Sequence, residues 1–171
     1  MTRRHGTIET PLGALLLTAD GDALTGLYFP KHKYPPSPDE IGDDLGGEPT
    51  DPILAEAARQ LREYFAGDRR DFELPLAPRG DDFSQRVWEL LLEIPYGSTS
   101  TYGRLAEQLG NRALAQRVGQ SVGHNPVSII IPCHRVLGAD GSLTGFAGGL
   151  ERKRWLLELE EPPAAEAGRL F

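Results

Sequence analysis

A chain of 171 residues, 39% of them hydrophobic and 25% charged, has the length and apolar content to enclose a core, which sets aside an intrinsically disordered protein. No apolar run approaches the roughly 20 residues of a membrane-spanning helix, and a single cysteine cannot build a disulfide framework or a cysteine-rich zinc site. The net charge of −7 weighs against indiscriminate nucleic-acid binding, yet between Ile94 and Ala139 four arginines stand against one glutamate. That stretch is the one locally basic part of an acidic chain. The start of the sequence has no apolar region of an export signal, and a free thiol suits a reducing, cytoplasmic setting.

In chain order, the first thirty residues read as β-structure. Runs at 7–10, 14–18 and 23–29 are separated by Pro11-Leu12-Gly13 and Asp20-Gly21-Asp22, both turn compositions. Residues 31–50, rich in Pro, Gly and acidic side chains, have little to bury and are expected to form a flexible loop. Asp51-Pro52 then opens a helix, with Leu54, Ala57, Ala58, Leu61, Tyr64 and Phe65 at helical spacing and Gly67 at its end. Phe72-Glu73-Leu74-Pro75-Leu76 reads as a further strand. Linker composition at 77–82 places a domain boundary between residues 79 and 80.

The second half reads as mainly helical. Asp81 or Asp82 caps a helix carrying Phe83, Val87, Leu90 and Leu91 on one face, and Pro95 and Gly97 follow it. Ser98-Thr99-Ser100-Thr101 offers caps for a helix over 102–109. Gly110-Asn111 then breaks the chain before a helix over 112–122. Two short helices about a tight turn form a helix-turn-helix pattern, and Ala113, Ala115, Gly119 and Ser121 give the second one a surface of small side chains. A glycine-rich loop and a helix over 150–160 close the pattern.

Cys133 stands in Ile129-Ile130-Ile131-Pro132-Cys133-His134-Arg135-Val136. Read as an apolar strand delivering a thiol beside an imidazole and a guanidinium, this octapeptide has the parts of an activated nucleophile: a fixed position, a base, and positive potential favouring thiolate. The four histidines, at positions 5, 32, 124 and 134, are scattered, so neither a metal nor a cofactor is expected.

Residues 95–160 resemble the signature region of the O6-alkylguanine-DNA alkyltransferases, the methylated-DNA–protein-cysteine methyltransferases. The resemblance is carried by Tyr102-Gly103-Arg104-Leu105-Ala106, Val118-Gly119, His124-Asn125-Pro126 and the octapeptide around Cys133. It continues through Gly141-Ser142-Leu143-Thr144-Gly145-Phe146-Ala147-Gly148-Gly149 and Arg152-Lys153-Arg154-Trp155. Asp82-Phe83-Ser84-Gln85-Arg86-Val87-Trp88 matches the family's entry helix.

This similarity implies an α+β fold: a small ribonuclease H-like α/β domain over 1–79 and a winged helix-turn-helix-like domain over 80–171. It further implies transfer of an alkyl group from guanine O6 in duplex DNA to Cys133, once per molecule, with the base flipped out of the stack. Within that scheme His134 is the base, Glu160 orients it, Tyr102 assists the departing purine, and Asn125 is the hinge before the cysteine segment. DNA contacts are expected from Thr101, Arg112 and Arg135, and from Ala115, Gln116, Arg117 and Gly119 of the recognition helix. Tyr102, Val136, Phe146, Ala147 and Gly148 are expected to wall the base pocket. One departure stands out: Gln116 occupies the position where the family places the arginine that fills the gap left by the flipped base. Action as a monomer is expected, with cooperative loading on DNA left open. Two alternatives remain at this stage: a lesion-recognition module without repair, and a Cys-His hydrolase with repeated turnover.

Overall fold

The computed structural model describes residues 3–37, 41–44 and 51–161. Strands β1 (Arg3–Thr10), β2 (Gly13–Asp20) and β3 (Ala23–Tyr28) form an antiparallel meander, and β4 (Asp43–Asp44) adds to β1 in parallel, giving the order β3-β2-β1-β4. The first turn is tight because Thr10 Oγ1 accepts from Leu12 N at 3.1 Å and donates to Gly13 O at 2.8 Å.

Helix α1 (Pro52–Phe65) lies on this sheet through Leu54, Ala57, Ala58, Leu61 and Tyr64, all enclosed. Asp51 caps it: its carboxylate accepts from Ile53 N and Leu54 N, both at 3.1 Å, and pairs with Arg4 Nε at 2.5 Å. One side chain thus starts the helix and ties it to β1.

The second half contains α2 (Asp82–Leu92), β5 (Ser100–Thr101), α3 (Tyr102–Gln108), α4 (Ala115–Gly123), β6 (Val136–Leu137) and α5 (Leu150–Leu159). Asp81 caps α2 through Ser84 N at 2.8 Å, and Thr101 caps α3 through Arg104 N at 3.1 Å. Strands β5 and β6 pair in parallel as a two-stranded ribbon beside the helices. Helices α3 and α4 form the helix-turn-helix, with Gly110 at φ 102° in the turn, a backbone angle that favours glycine. The second helix opens with a 3-10 turn, Arg112–Leu114. Trp88 Nε1 donates to Ser121 O at 2.8 Å and locks α2 against α4.

Three expectations change. Residues 72–76 form no strand and make one parallel bridge, Leu76 to Leu24. The loop over 31–50 is not wholly irregular, since Asp43–Asp44 joins the sheet; residues 38–40 and 45–50 lie outside the described residues, as does the segment 162–171. The isoleucine run before Cys133 is not a strand either, for a reason that belongs to the site.

Candidate active site

Two prolines explain the backbone around Cys133. Pro126 and Pro132 have no N–H to give a ladder, so the segment between them closes on itself. Ile130 N donates to Ser128 O at 2.8 Å, Ile131 N to Val127 O at 2.9 Å, and Cys133 N to Ile131 O at 2.8 Å. Asn125, 2% exposed, holds this knot from inside: its Nδ2 donates to Ile131 O at 2.8 Å and its Oδ1 accepts from Val127 N at 3.0 Å. Ile129 sits at φ 71°, a left-handed conformation that costs a β-branched residue about 1–3 kcal/mol. Burial of Ile129, Ile130 and Ile131 in the core offsets that strain. Cys133 therefore begins a 3-10 turn, Cys133–Arg135, on a rigid loop.

Behind the thiol lies an enclosed polar cluster. His134, wholly buried, is bonded through Nε2 to Glu160 Oε2 at 2.7 Å. Arg135 grips the same carboxylate with two nitrogens, Nε to Oε1 at 2.7 Å and Nη2 to Oε2 at 3.0 Å, and its Nη1 donates to Ile94 O at 2.6 Å. Tyr64 of α1 completes the set, its hydroxyl donating to Glu160 Oε2 at 2.5 Å. Burial pushes the Glu160 carboxyl up, but the hydrogen bonds and charges of His134 and Arg135 outweigh it and bring the pKa down to about 2. Burial also lowers His134, against the pull of Glu160, so the imidazole rests neutral. Among the described residues, its Nδ1 is the buried side-chain polar atom with no hydrogen-bond partner.

The thiol itself is 6% exposed, and burial pushes its pKa up. Asn125, the Lys153 ammonium and Ser128 oppose that shift. Lys153 is 0% exposed, with Nζ donating to Val136 O and Thr144 O, both at 2.7 Å. Burial lowers it to about 8, while Cys133 acts to raise it. Helix α5 thus supplies a positive charge near the thiol, and the residue after its end, Glu160, supplies the negative charge behind the imidazole. No group of three or more metal-binding side chains occurs among the described residues.

Arg135 corrects one expectation. It is 6% exposed and committed to Glu160 and Ile94, so it neither faces DNA nor flanks the sulfur with a free charge. Five of the remaining candidates surround a cavity of about 280 Å³ between the helix-turn-helix and the glycine-rich loop. Tyr102, Gln116, Gly119, Phe146 and Ala147 line it, together with Lys33 and Tyr34 from the N-terminal half. A β-carbon on Gly119 would stand 3.6 Å from the Tyr102 ring, in ordinary contact. The Tyr102 hydroxyl accepts from Thr144 Oγ1 at 3.2 Å, which leaves its own O–H available to donate.

Val136 and Gly148 do not line this cavity. Val136 is fully buried, and a β-carbon on Gly148 would meet Phe29 at 2.4 Å, so glycine there serves close packing. Thr101 is the α3 cap and Ala115 opens α4. Gln116 and Arg117 are exposed on α4, with the Arg117 guanidinium 3.9 Å above the Phe83 ring. Exposed Arg112 pairs with Glu107.

Sequence reading missed Tyr64 and Lys153 as site residues. Tyr64 shows only the helical spacing of a core aromatic. Lys153 sits between two arginines, as a solvated residue would, yet Lys153, Leu156 and Glu160 fall at helical spacing, and that shared face was the available signal.

Comparison with known proteins gives a consistent answer across the chain. The family described as 6-O-methylguanine DNA methyltransferase, ribonuclease-like domain, matches residues 4–78, and the DNA binding domain of the same name matches residues 82–162. A methylated-DNA–protein-cysteine methyltransferase of Mycobacterium tuberculosis is 47% identical over 167 residues, covering 98% of each chain. One from Haemophilus influenzae is 44% identical over 161 residues, covering 93% of this chain and 87% of its own. The crystal structure of the M. tuberculosis OGT in complex with DNA superposes with a TM-score of 0.83 at 45% identity, covering 94% of this chain and 96% of that one.

Proposed function

Because the chain belongs to the methylated-DNA–protein-cysteine methyltransferase family, we propose that it repairs duplex DNA by moving the alkyl group of O6-alkylguanine onto its own Cys133. The Cys133 thiol loses its proton to His134 Nδ1, directly or through one water. The sulfur then attacks the alkyl carbon, the carbon–oxygen bond breaks, and its electron pair leaves with the purine, which takes the Tyr102 hydroxyl proton; the phenolate regains a proton from water as the His134 imidazolium releases one. Glu160 stabilises the imidazolium that forms. The product is a thioether with no good leaving group, so each chain reacts once.

The observation that carries this reading is the state of His134. Its Nε2 is held by Glu160, it is neutral, and its remaining nitrogen is enclosed without a partner next in sequence to the thiol. A neutral base with one open nitrogen and a carboxylate behind it suits proton removal from a thiol that burial otherwise keeps protonated. Lys153 then favours the thiolate electrostatically.

A sulfur on a rigid, enclosed loop cannot reach O6 inside a stacked duplex, so the nucleotide rotates out. The small residues of α4 suit approach to a minor groove about 6 Å wide. Gln116 takes the place of the flipped base, hydrogen-bonding the orphaned partner without a charge. The two units, meeting near residues 79 and 80, act together as a monomer; the gap between the two family matches supports that division.

The test is stoichiometry. With duplex carrying O6-methylguanine in excess, restored guanine rises to one per chain and stops. Continued turnover would indicate a hydrolase, and tight binding with no loss of the lesion would indicate a recognition module.

A further inference from the structure

Besides lining the cavity through Lys33 and Tyr34, the N-terminal unit reaches the cysteine loop and the buried cluster. Leu27 N, on the edge of β3, donates to Pro126 O at 2.8 Å, next to Asn125. Tyr64, fully buried on α1, crosses 96 positions of sequence to reach Glu160. Its ring is fixed by Phe65, Phe72 and Tyr96, with centroids at 5.6, 5.3 and 6.2 Å, so the hydroxyl has one direction to point.

We infer that Tyr64 is a positioning residue of the alkyl transfer, setting how strongly Glu160 supports the protonated form of His134. The inference rests on the proton relay proposed above. Tyr64 donates to Oε2, the same oxygen that His134 Nε2 and Arg135 Nη2 engage, whereas Oε1 is held by Arg135 Nε. A third donor on Oε2 draws its negative charge away from the imidazole. His134 is then a weaker base than an imidazole–carboxylate pair alone would make it, and it stays neutral, ready to accept a proton, over a wider pH range. The other charged and titratable groups facing the pair are Arg135, Lys153 and Tyr96, with Arg70 above the Tyr96 ring. Tyr64 differs from Arg135, Lys153 and Tyr96 in coming from the N-terminal unit, so that unit tunes the chemistry as well as supporting the fold. Burial and the Glu160 charge push the Tyr64 pKa up, which keeps the phenol a donor throughout.

The test is the pH dependence of the single-turnover rate on O6-methylguanine duplex, for the parent chain, Tyr64→Phe and His134→Gln. Tyr64→Phe keeps the ring and removes the donor. Its rate profile moves to higher pH by roughly 0.5–1 unit, while duplex affinity stays within about twofold. Replacement of Tyr64 by 3-fluorotyrosine, a stronger donor of nearly the same shape, moves the profile the other way and covers the case in which Tyr64→Phe folds poorly. Profiles that superimpose on the parent overturn the inference and leave the relay standing, provided His134→Gln is slow. A His134→Gln chain with the parent's rate overturns both.

Discussion

The two sides of Cys133 are built on opposite rules. Behind it, His134, Glu160, Arg135, Tyr64 and Lys153 are closed off from solvent and bonded to one another or to backbone, save for one imidazole nitrogen. Around the cavity and the helix-turn-helix, Gln116, Arg117, Arg112 and Lys33 are exposed, and Tyr34, 39% exposed, reaches across to stack on His124 at 3.8 Å. A low-dielectric, closely bonded cluster keeps its resting arrangement largely independent of charges outside it. An exposed rim can change one side chain at a time at small energetic cost, as Gln116 illustrates. Chemistry and recognition are therefore separable in this molecule, and that separation can be tested.

The largest effect is expected at the sulfur. Cys133→Ala abolishes transfer and leaves duplex affinity within about twofold, measured by lesion loss and by fluorescence anisotropy. An affinity that collapses with activity would join the two sides that the comparison keeps apart.

Next is the cluster itself. Glu160→Gln leaves Arg135 buried without its counter-charge and costs about 3–5 kcal/mol, read as a fall in the urea midpoint. A cost below about 1 kcal/mol would mean that water reaches the cluster.

Acid comes third. Burial and then the Arg152 charge hold His32 at about 4, below its usual 6.5, and its Nδ1 accepts from Phe29 N at 3.3 Å. Between pH 6.5 and 4 the unfolded chain takes this proton and the native chain does not, so stability falls with pH by about 3 kcal/mol. His134 adds to the loss in the same direction, and Glu160 extends it between about 4.5 and 2. His32→Asn, which can accept the same backbone hydrogen bond, flattens the slope of urea midpoint against pH above 4. An unchanged slope would remove His32 from the account.

The smallest effect belongs to the rim. Gln116→Arg steepens the salt dependence of duplex binding by about 0.9 in log–log slope, one added phosphate-scale contact, and tightens binding at low salt. The saturated transfer rate is expected to stay put. A faster saturated rate with unaltered affinity would place position 116 in the chemical step.

Much of this was legible in the sequence, because caps and periodicity are local. Asp51 and Asp81 announce their helices, and the apolar faces of α1 and α2 are the buried ones. The cysteine loop was misread as a strand because three consecutive isoleucines mimic one; the two prolines flanking them carried the contrary signal. Arg135 was misread for a different reason. Its basic surroundings suggest solvent, whereas its partner Glu160 lies 25 positions away and shows itself only once α5 has folded back. Tyr64 is the extreme case, since nothing in a helix of the first half announces a partner in the second.

The most direct measurement is the address of the alkyl group. After reaction with O6-methylguanine duplex, tryptic digestion and mass spectrometry should find one methyl on peptide 118–135, fragmenting to Cys133, in every reacted chain. Restored guanine with that peptide unmodified would contradict the account at its centre.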